Sequence, residues 1–126
     1  LLDIVKFGIL FVDRDRRVTY INQAAADMWG LASRDDVVGI RDTAVVALSA
    51  AQRIDDDAYR EHLNEVVSRN LRSEPYDVKF RDGRVIREQS TPVPSSDGLQ
   101  SIGRVWIFEG DDPSDAIRSS SPCSWR

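Results

Sequence analysis

Gly8-Ile-Leu-Phe-Val-Asp-Arg-Asp-Arg-Arg-Val-Thr-Tyr-Ile-Asn22 places two apolar runs on either side of a charged turn. Ile9–Val12 is continuously apolar, which predicts a strand buried on both faces. Asp13–Arg17 reads as the turn. Val18–Ile21 reads as the return strand, rich in β-branched and aromatic residues, so the two form a hairpin. Asn22 then stands where a helix N-cap belongs, ahead of an alanine-rich run. Ala25, Met28 and Trp29 fall at helical spacing in that run, and Gly30 supplies a stop. Upstream, Leu1, Leu2, Ile4, Val5 and Phe7 suit a short amphipathic lead-in helix over residues 1–7, broken by Gly8.

Downstream, Ser33 is placed to cap a second short helix, with Asp35 and Asp36 in its first turn and Val37–Ile40 closing it. Residues 42–53 are Ala- and Val-rich and read as helical. Asp55–Asp57 opens the clearest helix, on which Tyr59, Leu63, Val66, Val67 and Leu71 form an apolar stripe, until Pro75 forbids continuation. Tyr76–Phe80 alternates strictly, as a half-buried strand does. Asp82-Gly83 suggests a hairpin turn of the primed type. Arg84–Thr91 returns, residues 92–98 form a longer connection, and Leu99–Phe108 is the last strand. On it Ile102, Arg104, Trp106 and Phe108 share one face, and Val105 and Ile107 the other. From residue 110 onward the Asp-, Ser- and Pro-rich composition reads as a flexible tail. A strand pair, a helical middle and three more strands make an α+β sheet with helices on one side, a cup able to hold a ligand.

At 126 residues the chain is one domain that can bury a core without staples. Its net charge is −4, and its cations, 17 in all and nearly all Arg, are scattered. That balance argues against a nucleic-acid partner. No apolar run approaches the ~20 residues of a membrane span. Cys123 is the single cysteine, so there is no disulfide or zinc framework, and a cytoplasmic location is expected. His62 is the single histidine, which leaves neither a Ser-His-Asp arrangement nor a metal cluster to assemble. The chain opens on Leu1 rather than Met, as if cut from something longer.

The segments resemble a PAS domain. Residues 8–15 resemble the family's opening strand and turn, and residues 18–25 its second strand and Asn-capped helix. Val37–Ile40 resembles its short hydrophobic-Gly step. Residues 81–87 and 90–93 resemble the fourth strand and its turn, and residues 103–108 the last strand. The resemblance covers residues 1–109. It implies a five-stranded antiparallel sheet in the order 2-1-5-4-3, with helices enclosing a pocket on one face. It also implies a sensory and dimerisation module without catalysis of its own. Such a module works as a homodimer attached to an output domain such as a histidine kinase, a cyclic-dinucleotide enzyme or a transcription regulator. Glu109-Gly-Asp-Asp-Pro113 departs from the Asp-Ile-Thr-like step that ends many members, and no heptad follows it.

Met28, Trp29, Tyr59, Leu63, Val66 and Phe80 are candidates for the lining of an apolar cup, or equally for a filled core. Arg87 or Arg104, if turned inward, would select an anionic ligand. Trp106 and Phe108 could join the lining. Alternatively they occupy the outer sheet face and form an interface with Leu1, Ile4 and Val5. The position of His62 resembles that of the axial ligand in haem PAS domains, against a default reading as a polar-face residue. Cys123 lies outside the mid-fold motif that forms a flavin adduct, which leaves non-covalent flavin open. Three classes of function follow: a small-ligand sensor, a ligand-free interaction module, and a cup enzyme using Tyr20, Tyr59 or Asp77 as acid or base.

Overall fold

The computed structural model describes residues 7–111. The expected lead-in segment with Leu1, Ile4 and Val5, and the stretch of the tail from residue 112 that contains Cys123, lie outside these residues. Strands β1 (Phe7–Asp13) and β2 (Val18–Ile21) lead into helix α1 (Gln23–Met28). Helix α2 (Asp42–Leu48), a 3-10 turn (Ala50–Gln52) and helix α3 (Asp56–Arg69) follow. Strands β3 (Tyr76–Lys79), β4 (Val85–Pro94) and β5 (Ser101–Asp111) close the chain. Phe7 therefore begins a strand rather than ending a helix, and β5 continues past Phe108 to Asp111.

The five strands form one antiparallel sheet in the order β2-β1-β5-β4-β3. Its register fixes two faces, because side chains alternate along each strand. Leu10 pairs with Trp106 and with Ile21, and Glu88 pairs with Phe108 and with Tyr76; all of these face the helices. Ile9, Phe11, Tyr20, Arg87, Val105 and Ile107 occupy the other face. β1 is thus buried on one face only: Leu10 and Val12 are buried, whereas Ile9 and Phe11 are half-exposed. The apolar run reflects two apolar sheet faces, not two covered ones. At the β3–β4 turn, φ is positive at Gly83 alone, and the Gly83 N–H donates to the Phe80 carbonyl. This is a type I turn closed by a left-handed glycine, the three-residue alternative to a primed turn.

Asn22 fastens the first helix to the sheet. It is fully buried, and its Oδ1 accepts from the N–H groups of Ala25 (3.0 Å) and Ile9 (2.9 Å), while Nδ2 donates to the Phe7 carbonyl (2.9 Å). Gly8 lets α1 approach this closely, since a Cβ there would lie 2.9 Å from the Ala25 backbone. Asn22→Ala removes a cap and takes the side-chain partner from two part-buried backbone groups, Ile9 N–H and Phe7 C=O. The expected loss is about 2 kcal/mol, read as a lower urea midpoint at unchanged slope.

Residues 33–40 form turns rather than a second helix. Their backbone is taken by the sheet edge instead: Gly39 N–H donates to Val18 O and Val18 N–H to Ile40 O, and Gly39 has a φ of 94°. The helix expected over 42–53 ends at Leu48, and a 3-10 turn follows. α3 begins with the Asp55 side chain accepting from Ala58 N–H and ends at Asn70, which is left-handed with φ 53°. The helix stops there, ahead of Pro75, so Leu71 falls beyond the apolar stripe and is exposed.

Between sheet and helices the core is aromatic at its centre. Trp29 packs edge-on against Phe80 (5.5 Å between ring centroids) and Phe108 (5.3 Å), and tilted against Tyr59 (5.7 Å). Leu10, Val12, Val18, Ile21, Ala25, Ala26, Val37, Val45, Val78, Ile86 and Trp106 complete it.

Candidate functional site: a cavity and a buried polar network

A cavity of about 150 Å³ lies between the sheet, α2 and α3. Its floor is Leu10, Ile21, Trp106 and Phe108, its end wall is Trp29 and Leu31, and its helical walls include Val45, Val46, Ser49, Leu63 and Val67. Arg16, Asp42, Thr43, Arg60 and Asn64 add polar groups to the lining.

The β1–β2 turn is clipped to the start of α2. Arg16 Nε donates to Asp42 Oδ2 at 2.9 Å, and Asp42 N–H donates to Arg16 O at 2.8 Å. Arg16 is held at φ 65°, an uncommon conformation for a residue with a Cβ. The Asp13 side chain accepts from the N–H groups of Asp15 and Arg17 and sets that turn. Arg60 is tied at 2.6 Å to Asp56 Oδ2. Both lining cations therefore carry a carboxylate partner. Trp29 Nε1, Trp106 Nε1 and Asp42 Oδ1 are buried and have no hydrogen-bond partner.

Beside the cavity runs a second polar assembly, centred on two fully buried charged residues. Arg53 is only 1% exposed. Its guanidinium donates to Ser49 Oγ (2.6 Å), Val46 O (2.6 Å) and Asp56 Oδ1 (2.5 and 2.9 Å). The same group lies over the rings of Tyr59 (4.7 Å) and Trp29 (5.5 Å). Tyr59 in turn donates its hydroxyl to Glu88 Oε1 at 2.6 Å. Burial raises the Glu88 pKa to about 7, against the pull of the Tyr59 hydrogen bond and of the Arg53 and Arg104 charges. Burial likewise lowers that of His62, whose Nε2 stands 3.9 Å from Glu88 Oε2.

Of the residues expected to line a cup, Trp29 and Leu63 do so. Trp106 and Phe108 also line it, which corrects their placement on an outer interface: they face the helices and are buried in the core. Tyr59 and Phe80 are core residues beside the cavity, and Val66 packs against that core. Met28 lies under Gly110, and its carbonyl accepts from Arg84 Nη1. Arg87 is on the outer face, paired with Asp77 at 3.1 Å, so it selects nothing in the cup. Arg104 is inward but occupied, donating to Ser90 Oγ and to the Leu71 carbonyl. His62 does not line the cavity; its ring stacks on Tyr76 at 3.7 Å. With His62 outside its lining, the cavity does not offer that side chain to a haem iron. Tyr20 and Asp77 lie on the outer face, apart from Tyr59, so these three side chains are not brought together.

The structure adds Arg16, Asp42, Val45, Val46, Ser49 and Asn64 to the lining. The spacing Ser49-Arg53-Asp56 was the available signal for part of this wall, because a 3-10 turn followed by a helix brings those side chains together.

Among the described residues, no group of three metal-ligating side chains is gathered, and no helix is long and apolar enough to cross a membrane.

A family model described as "PAS fold" matches residues 2–109. No curated protein matches the chain. Among solved structures, the chain is similar to the PAS domain of a protein from Colwellia psychrerythraea, with 16% identity, a TM-score of 0.59, and 84% of this chain and 86% of that one covered. It is also similar to the PAS domain of histidine kinase ThkA, with 17% identity, a TM-score of 0.60 and coverages of 82% and 97%. A third similar structure is the VqmA–ligand–DNA complex of Vibrio cholera, with 17% identity, a TM-score of 0.61 and 98% of this chain aligned to 57% of that one. A sheet in the order 2-1-5-4-3, its helices on one face and a family match over nearly the whole described region lead to one assignment: the chain belongs to the PAS family.

Proposed function

We propose that this PAS domain is the sensory module of a larger signalling protein, and that its signal is a small molecule held in the cavity between α2, α3 and the sheet. The observation that carries this reading is the cavity itself. It lies between the sheet and the helices, is walled mainly by apolar side chains and opens toward solvent past the exposed Thr43, Arg60 and Asn64. A concave, mostly apolar pocket with a few polar groups at its rim is the usual form of a small-molecule site. Occupancy would favour one placement of α2 and α3 against the sheet, and so bias whatever the sheet and the chain ends touch.

Val67→Phe tests this reading. Val67 lines the cavity from α3 and has room to grow, so the variant should fold with stability close to that of the parent. Native mass spectrometry of the parent, purified from its host, should show an added small mass that Val67→Phe lacks. Apo mass in both proteins, with no mass gained on incubation with a host metabolite extract, would count against the reading.

A second reading concerns the opposite sheet face, and a specific observation favours it. Phe7 (43% exposed), Tyr20 (38%) and Ile107 (44%) leave apolar surface in water there, with Ile9, Phe11 and Val105 between them. A second copy of the chain would cover this face, with Leu1, Ile4 and Val5 just ahead of it in sequence. Ile107→Lys should shift the sedimentation profile from dimer to monomer without lowering the melting temperature of the fold. A parent that sediments as a monomer at high concentration would dismiss the dimer.

A further inference from the structure

The lining of the cavity is segregated by polarity. Its inner surface is apolar: Leu10, Ile21, Trp106 and Phe108 of the sheet are buried, and Leu63 and Val67 of α3 add to them. Ser49, also buried in the lining, is occupied: its hydroxyl donates to the Val45 and Val46 carbonyls and accepts from Arg53. The remaining polar groups gather at the mouth. Thr43 of α2 and Arg60 and Asn64, one turn apart on α3, are exposed, and Arg16 of the β1–β2 turn is partly so. A lining of this kind suits a molecule with an apolar body and a polar head.

The mouth also sets the charge of that head. Arg16 and Arg60 are the cations of the lining, and Asp42 is its one carboxylate. Asp42 already serves the fold, because Oδ2 accepts from Arg16 Nε and Oδ1 is buried away from solvent. The guanidiniums are only half used. Each is held through Nε, Arg16 by Asp42 and Arg60 by Asp56, and among the described residues their Nη groups make no hydrogen bond. Asp56 lies outside the lining and gives its other oxygen to Arg53. The terminal edge of each guanidinium thus remains for a second acceptor. A planar carboxylate matches that edge, and its hydrogen bonds there are charge-assisted.

On the reading that the cavity is a ligand site, we infer that its ligand is an amphipathic carboxylate, with its apolar body against Leu63, Val67, Trp106 and Phe108 and its head accepting from the Nη groups of Arg16 and Arg60 at the mouth. One head group would then bridge the β1–β2 turn and α3. Occupancy would thereby fix where α3 sits against the sheet.

The test is a calorimetric titration of the full chain, stripped of any carried-over molecule by unfolding and refolding. The probes are octanoate and phenylbutyrate, each beside the alcohol and the amine of the same body: octanol and octylamine, phenylbutanol and phenylbutylamine. At least one carboxylate should bind saturably, about tenfold or more tighter than its matched alcohol, as a charge-assisted bond warrants. Val67→Phe should abolish that binding, which places it in the cavity. Arg60→Gln should weaken the carboxylate about tenfold and the alcohol less than about twofold, and Arg60→Lys should restore part of the preference. An alcohol that binds as tightly as its carboxylate, an amine that binds more tightly, or equal losses for both heads in Arg60→Gln would overturn the carboxylate assignment while leaving a ligand-holding cavity in place. Carboxylate binding unchanged by Val67→Phe would also overturn it. Failure of every probe, the alcohols included, would overturn the assignment and the ligand site together.

Discussion

Replacing Arg53 by methionine is expected to destabilise the domain by about 3–5 kcal/mol, the range seen when one partner is removed from a buried charged assembly. Methionine nearly matches the arginine stem in volume, so the loss is not a cavity effect. It follows from the partners left behind. The Ser49 hydroxyl, itself fully buried, and the Val46 carbonyl lose charge-assisted donors, and the face of Tyr59 loses its cation. Asp56 keeps Arg60, which limits the damage at the start of α3. Arg53→Lys should recover only a minor part of the stability, because an ammonium lacks the planar fork that reaches Ser49, Val46 and Asp56 together. Urea denaturation at pH 7 measures both variants. A loss below about 1 kcal/mol for Arg53→Met, or full recovery by Lys, would show that the assembly does not hold α2, the 3-10 turn and α3 together.

Stability should also depend on pH through Glu88, in the sense opposite to most carboxylates. Folding raises its pKa from the ordinary 4.5 to about 7, so between those values the native state holds a proton that the unfolded chain has lost. The contribution is fully present below pH 4.5, declines through the window, and stays lost above about pH 7. At about 1.4 kcal/mol for each pH unit, the decline amounts to about 3 kcal/mol. The groups facing Glu88 are Tyr59 and His62 from α3, Tyr76 opposite it on β3, Arg104 on β5, and Arg53. His62 opposes the trend, since burial lowers its pKa and its contribution is lost as the pH falls. That part is shared by parent and variant and cancels in their difference. Glu88→Gln keeps an acceptor for the Tyr59 hydroxyl without the ionisation. It should match the parent at pH 4 and exceed it by about 3 kcal/mol at pH 8. Parallel stability profiles across this range would mean that Glu88 is ionised in the fold throughout.

Much of the architecture was legible in the sequence because local rules and packing agree there. Asn22 caps a helix, Tyr76–Lys79 alternates, and the stripe from Tyr59 to Val67 faces the core, as residue type and spacing require. The faces of two strands were not legible, for a physical reason. On β5 both sets, Trp106 with Phe108 and Val105 with Ile107, are apolar, because the outer sheet face is apolar as well. Along β4 the sets Ile86, Glu88, Ser90 and Val85, Arg87, Gln89 have the same mixture of one apolar and two polar residues. Only pairing across the sheet, Glu88 against both Phe108 and Tyr76, turns Glu88 inward and Arg87 outward. Arg53 escaped notice because an arginine among Gln52, Ile54 and Asp55 has the look of a solvated loop. Its burial follows from the 3-10 turn, which folds Ser49 and Asp56 around it. The cavity wall from α2 escaped for a related reason: a short Ala- and Val-rich helix has little amphipathic contrast.

The most direct test of the central claim is a crystal structure of the protein as purified from its host, refined without assumption about the cavity. The account predicts continuous density for a compact non-protein molecule in the cavity between the sheet, α2 and α3, against Leu63, Val67, Trp106 and Phe108. A cavity closed by its own side chains, or holding only water in both purified and metabolite-soaked crystals, would contradict it.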